Sequence, residues 1–107
     1  MLVASTDGGI AGFAIMRFGD DQAHLFLLAV QPEFRRTGIG RSMMQWLEKS
    51  CRSAGIQQVR LEVRASNRSA MQFYRNLGYR FLGKVAGYYD RRESAAIMAR
   101  SLNASAS

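Results

Sequence analysis

The sequence holds one cysteine, one proline and one histidine in 107 residues. A lone cysteine excludes an internal disulfide framework. Cys51 falls on the apolar stripe of a predicted helix, where a free thiol behaves as a small buried hydrophobe rather than a nucleophile. His24 stands alone at the start of a strand and reads as structural. With no His/Cys cluster, no metal site is expected. No apolar run approaches the roughly 20 residues needed to cross a bilayer. The segment Met1–Ser5 lacks the basic n-region of a secretory signal. A cytoplasmic protein with no membrane partner is expected. The match Asn67-Arg68-Ser69 to a glycosylation sequon is accordingly taken as chance.

Lysine is scarce as well. Lys49 and Lys84 are the only two, yet Lys and Arg together number 15 against 8 acidic residues, a net charge of +7. The excess is therefore arginine. Arginine favours planar, bidentate contact with phosphate or carboxylate, and the balance attracts anions in general. Nucleic acid is an unlikely partner, because neither a helix-turn-helix nor an aromatic-basic stripe accompanies the charge.

The length fits one domain, with residues 1–102 as its body and 103–107 as a disordered tail. Residues 1–5 and 10–18 predict two strands joined by Thr6-Asp7-Gly8-Gly9, Asp-Gly being a strong hairpin cue. Residues 24–30 form a nearly all-apolar strand, as expected of one covered on both faces. Residues 39–54 predict a helix. Ile39, Met43, Leu47, Cys51 and Ala54 make its apolar stripe, while Gln45, Glu48, Lys49 and Arg52 face away. Trp46 and the methionines read as packing. Residues 57–65 alternate, with Val59, Leu61 and Val63 on one side and Arg60, Glu62 and Arg64 on the other. Ser66 or Asn67 caps a second helix that Gly78 ends. A strand over 79–85, a polar loop over 86–93 and a strand over 94–102 close the chain. The strand–helix–strand unit over 24–65 makes its two strands parallel. The fold class is α/β: a mixed, mostly antiparallel sheet with one parallel crossover.

The most informative stretch joins strand 24–30 to the first helix. It reads Gln31-Pro32-Glu33-Phe34-Arg35-Arg36-Thr37-Gly38-Ile39-Gly40-Arg41. Two glycines let a ligand approach the backbone. The unpaired N–H groups at the helix start, at the positive end of its dipole, favour a phosphate. Arg35, Arg36 and Arg41 add full charge. Gly-Ile-Gly invites a dinucleotide fingerprint, but Met43 holds the third glycine position and the connection from Val30 to Gly38 is too long. Nor is there the Gly-Lys-Ser/Thr of a nucleoside-triphosphate loop.

Together these features resemble the GCN5-related N-acetyltransferases. Arg35-Arg36-Thr37-Gly38-Ile39-Gly40 matches their Gln/Arg-x-x-Gly-x-Gly/Ala loop. Asn67 followed by Phe73-Tyr74-Arg75-Asn76-Leu77-Gly78-Tyr79 matches their second signature. Within the family, Leu61–Asn67, Tyr88-Tyr89 and Ala96–Ala99 resemble the bacterial enzymes that acetylate the N-terminal alanine of a ribosomal protein, although Leu27 stands where those tend to carry Asn. The resemblance implies acetyl-CoA as acetyl donor and a primary amine, such as a protein N-terminus, as acceptor. It implies that Leu28, Ala29 and Val30 pair with the pantetheine arm and that Arg36 through Arg41 cradle the pyrophosphate. Arg35 contributes to the same loop or braces it. Asn67 would bond the pantetheine or neighbouring backbone. Glu62 would be the general base and Tyr74 the general acid.

The residues allow that chemistry. An ammonium must lose a proton before it attacks, and a departing thiolate must gain one. The plainer alternatives are that Glu62 pairs with Arg60 or Arg64 and that Tyr74 is core. Full family members carry a strand and two helices ahead of the first hairpin. Three explanations stand open for their absence here: a fragment, a second copy of the chain covering the gap as a homodimer, or a reduced member. A non-catalytic acetyl-CoA-binding module is the alternative function.

Overall fold

A computed structural model of the chain describes residues 2–6, 9–87 and 93–102. The turn expected at 6–9, the loop at 86–93 with its Tyr88-Tyr89 pair, and the tail at 103–107 lie wholly or partly outside those residues. The described strands are β1 (Leu2–Thr6), β2 (Gly9–Phe18), β3 (Gln22–Val30), β4 (Gln58–Arg64), β5 (Arg80–Val85) and β6 (Ala95–Ser101). The helices are α1 (Ile39–Ser53) and α2 (Arg68–Asn76). The strands make one sheet in the order β1-β2-β3-β4-β6-β5. Every neighbouring pair is antiparallel except β3 and β4, which run parallel on either side of α1. This is the mixed sheet with a crossover that the alternation of periods predicts.

Period-two patterning builds the core. Ala14 and Met16 of β2, Ala23 and Leu25 of β3, Val59 and Leu61 of β4 and Met98 of β6 all point to one face. Met43, Met44, Leu47 and Cys51 of α1, with Tyr74 and Leu77 beside α2, cover them. Gly55 and Gly78 follow the helices at φ 78° and 100°, backbone values at which glycine has no Cβ to clash. Pro32–Phe34 adds a single 3₁₀ turn inside the long connection, a local element that a loop reading did not anticipate.

Three expectations about faces are corrected. Strand β3 is not covered on both sides, since Phe26 is 56% and Leu27 40% exposed. Trp46 is likewise exposed rather than packed, while Met16, Met43, Met44 and Met98 are buried. Glu48, assigned to the solvent face of α1, is 2% exposed. The apolar stripe of α1 is wider than a single three-four row, and Glu48 lies one turn beyond Met44 on its flank. What makes burial tolerable there is pairing. The Tyr79 hydroxyl donates to Glu48 Oε2 at 2.8 Å and Arg100 Nη1 donates to Oε1 at 2.8 Å. Both carboxylate oxygens are thus satisfied, the condition for a buried charge.

Burial, and then the Glu48 carboxylate, push the Tyr79 phenol well above the ordinary tyrosine value, with Arg100 opposing. Burial, and then Glu48, raise the Cys51 thiol too. Both groups are acids that the fold holds neutral. Their stabilisation is complete below the unfolded values, about 8.5 for Cys and 10 for Tyr, and drains away as pH rises through them toward the folded values. Urea unfolding is therefore expected to show stability falling above about pH 9, with a shallower fall in Tyr79→Phe. At neutral pH Glu48→Ala, which strands the Tyr79 hydroxyl and the Arg100 guanidinium, is expected to cost about 2–3 kcal/mol.

Candidate functional site

The site exists because two parallel strands part company. Pairing between β3 and β4 runs from Gln22 opposite Gln58 to Leu25 opposite Leu61 and no further. Beyond that point β3 stays with β2 as far as Val30, and β4 stays with β6 as far as Arg64. The cause sits in the β2–β3 register. Met16 opposes Leu25 and Ile15 opposes Leu27, so Phe26 is an extra residue on β3. Such a bulge bends its strand and increases the local twist. The edge of β3 from Phe26 onward then faces a cleft instead of a neighbour.

Two cavities occupy that opening. One, of about 570 Å³, is lined by Leu28, Ala29 and Val30 of β3, by Phe34, Arg35, Arg36, Gly38, Gly40 and Arg41 of the connection and α1, and by Ala70, Phe73, Tyr74, Asn76 and Leu77 of the α2 region. Its walls are apolar and its mouth is cationic. The other, of about 290 Å³, lies between the separated strands, bounded by Leu25–Leu28, Leu61–Arg64, Asn67, Ala70 and Tyr74. Leu28, Ala70 and Tyr74 belong to both. The two cavities therefore adjoin.

The loop has a backbone shape that would suit an anion cradle. Gly38 caps α1 at φ 87° and its carbonyl accepts the first helical bond from Ser42 at 2.9 Å. Arg36 adopts φ 64°, a left-handed value that costs a non-glycine residue about 1 kcal/mol and that clusters at ligand-binding turns. Arg35 Nε donates to the Val30 carbonyl at 3.2 Å, so this arginine braces the loop and lines the cavity together. The Thr37 hydroxyl donates to the Phe34 carbonyl. At Gly40 a Cβ would stand 3.2 Å from Phe73 Cζ. Its absence lets the start of α1 come close to α2.

In the second cavity Glu62 is 12% exposed, and its Oε2 pairs with His24 Nε2. His24 in turn stacks on Phe26 with ring centroids 4.5 Å apart. Tyr74 is buried, with its ring edge-on to Phe73 at 5.1 Å and to Tyr79 at 5.6 Å. Asn67 caps α2, its Oδ1 accepting from the Ala70 N–H at 3.1 Å.

Of the residues singled out from sequence, Leu28, Ala29, Val30, Arg35, Arg36, Gly38, Gly40 and Arg41 meet around the larger cavity. Glu62, Asn67 and Tyr74 meet around the smaller. Thr37 and Ile39 line neither: Thr37 turns back on its own loop and Ile39 packs toward the core. The suspicion that Glu62 pairs with Arg60 or Arg64 is corrected by its bond to His24. His24 was read as structural from its isolation. The signal that places it beside Glu62 is the parallel register, which sets His24 opposite Arg60 on the face that Glu62 shares.

The model of the acetyltransferase (GNAT) family matches residues 1–79. The ribosomal-protein-bS18-alanine N-acetyltransferase of Escherichia coli K12 is 40% identical over 96 residues, which are 87% of this chain and 65% of that protein. The chain thus spans about two thirds of the length of the curated relatives it matches first. The crystal structure of the Escherichia coli ribosomal-protein-S18-alanine N-acetyltransferase superposes with a TM-score of 0.84 at 37% identity, covering 92% of this chain and 66% of that one. Naa20 of Chaetomium thermophilum, in complex with a bisubstrate analogue, superposes with a TM-score of 0.86 at 29% identity, over 92% of this chain and 64% of that one.

The cradle makes a checkable claim about backbone. Nothing stands within 4 Å of where a Gly38 Cβ would lie, so Gly38→Ala tests conformation alone. Urea unfolding is expected to show a loss of about 1–2 kcal/mol, with no steric contribution for a neighbouring substitution to relieve.

Proposed function

The chain is a member of the acetyltransferase (GNAT) family, and from that premise we propose that it binds acetyl-CoA and transfers the acetyl group to a primary amine, in particular the N-terminal amine of a protein or peptide. One observation carries the reading. A cationic, glycine-lined cavity opens directly onto a cleft that holds a carboxylate, and the two share Leu28, Ala70 and Tyr74. Relatives named for N-terminal acetylation, or for the alanine of a ribosomal protein, favour that acceptor, although one structural neighbour is named for nourseothricin; a cytoplasmic setting fits a protein acceptor.

The residues present suit such a donor. The edge of β3 left by β4 offers Leu28, Ala29 and Val30 to the pantetheine arm as another strand would. Arg36 through Arg41 supply backbone N–H groups and guanidinium charge to the pyrophosphate. Thr37 and Ile39 serve that cradle by shaping the loop and helix start rather than by their side chains. Asn67 holds the first turn of α2, and so keeps Tyr74 at the junction of the cavities.

The thioester brings an acyl group already reactive toward amines, so the protein needs no acyl intermediate of its own, and Cys51 lines neither cavity. Glu62 takes the proton that the acceptor ammonium must lose. Backbone N–H groups of the freed β3 edge favour the negative charge that develops on the carbonyl oxygen. Tyr74, at the junction, supplies the proton that the leaving sulfur requires.

Calorimetry and steady-state kinetics test the proposal. Coenzyme A and acetyl-CoA are expected to bind, and a panel of N-terminal peptides to contain a member that stimulates thiol release. Glu62→Gln is expected to lower kcat by about 100-fold or more with acetyl-CoA affinity unchanged. Tyr74→Phe is expected to lower kcat by a similar order. Binding without turnover on any amine would establish the acetyl-CoA-binding module instead. The absence of heat with either form of the coenzyme, on folded material, would remove both readings.

A further inference from the structure

We infer that His24 is a positioning residue for Glu62, one that holds Oε2 so that Oε1 is presented to the acceptor amine. The inference rests on the acetyl-transfer reading and adds a residue to it. His24 Nε2 pairs with Glu62 Oε2. Glu62 lines the cleft while His24 does not. The imidazole thus stands behind the carboxylate and acts through it.

Three features fix the ring there. Strand pairing sets His24 opposite Arg60, two residues before Glu62, at the last stretch where β3 and β4 remain hydrogen-bonded. The Phe26 ring stacks on the imidazole at 4.5 Å, and Phe26 is the bulge residue itself. The backbone feature that opens the cleft therefore also braces the group that orients the carboxylate. Finally, Glu62 is only 12% exposed, so water does little of the work of fixing its rotamer. Arg60 and Arg64 stand two residues to either side of Glu62 on β4. Bonding to His24 selects one orientation among the alternatives. The charged groups that face His24 are Arg17, its register partner on β2, and Arg60 and Glu62 on β4.

Because His24 is the sole histidine, its replacement alters no other imidazole. His24→Val removes the donor and keeps a residue suited to a strand; His24→Gln keeps a donor. His24→Val is expected to lower kcat about 10- to 100-fold, the worth of one hydrogen bond to a charged group, with KM for acetyl-CoA within about twofold. His24→Gln is expected to recover most of the lost kcat. In a Glu62→Gln background His24→Val is expected to add nothing further, as two residues acting as one unit require. Should His24→Val be too unstable to assay, His24→Ile, which also lacks a donor and suits a strand, carries the same expectations.

A kcat for His24→Val within about twofold of wild type would overturn the inference while leaving acetyl transfer intact. So would a loss that Gln does not recover and that persists undiminished beside Glu62→Gln, since that would be a structural role. A wild-type protein that transfers acetyl to no amine would bring down the acetyl-transfer reading first and this inference with it.

Discussion

The separation of β3 from β4 after four paired residues is the constraint on which the rest depends. A continuous sheet would satisfy the edge of β3 with the edge of β4, and no ligand could compete for those groups. One additional residue, Phe26, turns β3 away while leaving it bonded to β2. The cost is a stretch of strand without a partner on one side and two exposed apolar side chains, Phe26 and Leu27. The gain is an extended row of backbone donors and acceptors at the mouth of a cationic cavity.

Around that opening the helices act as position markers. The start of α1 lies beside Val30 and Phe73 because Gly40 has no side chain to hold them off. The start of α2 is pinned by Asn67 accepting from Ala70. Tyr74 sits between two other rings, and the second of them, Tyr79, is bonded to a buried carboxylate of α1. The aromatic ring at the junction of the cavities is thus held through Tyr79 and Glu48 by α1, the helix whose start carries the proposed anion cradle. Cradle and junction are built from the same packed unit.

Much of this was legible in the residues. Period-two alternation in 57–65 and three-four spacing in 39–54 are short-range signals, and the elements they predict are present with ends shifted by a residue or two. The loop from Arg35 to Arg41 was legible because its chemistry is local: glycines, arginines and a helix start are adjacent in the chain. What was hidden is non-local. Glu48 was placed in solvent because a charged side chain is ordinarily exposed, and its partners are Tyr79, just before β5, and Arg100 of β6, 31 and 52 residues away. His24 looked isolated because its partner lies 38 residues on, across a parallel pairing whose register one sequence does not state. The bulge at Phe26 left no mark in the pattern at all, since every residue from Leu25 to Val30 is apolar.

The choice of base in the cradle has a chemical corollary. The positive charge around the larger cavity comes from Arg35, Arg36 and Arg41, and a guanidinium stays charged and does not behave as an amine nucleophile. A lysine in the same place would offer a compact point charge, where a guanidinium offers two parallel N–H groups in a fixed fork. Under the proposed reading, arginine would hold a diphosphate in one orientation rather than merely attract it.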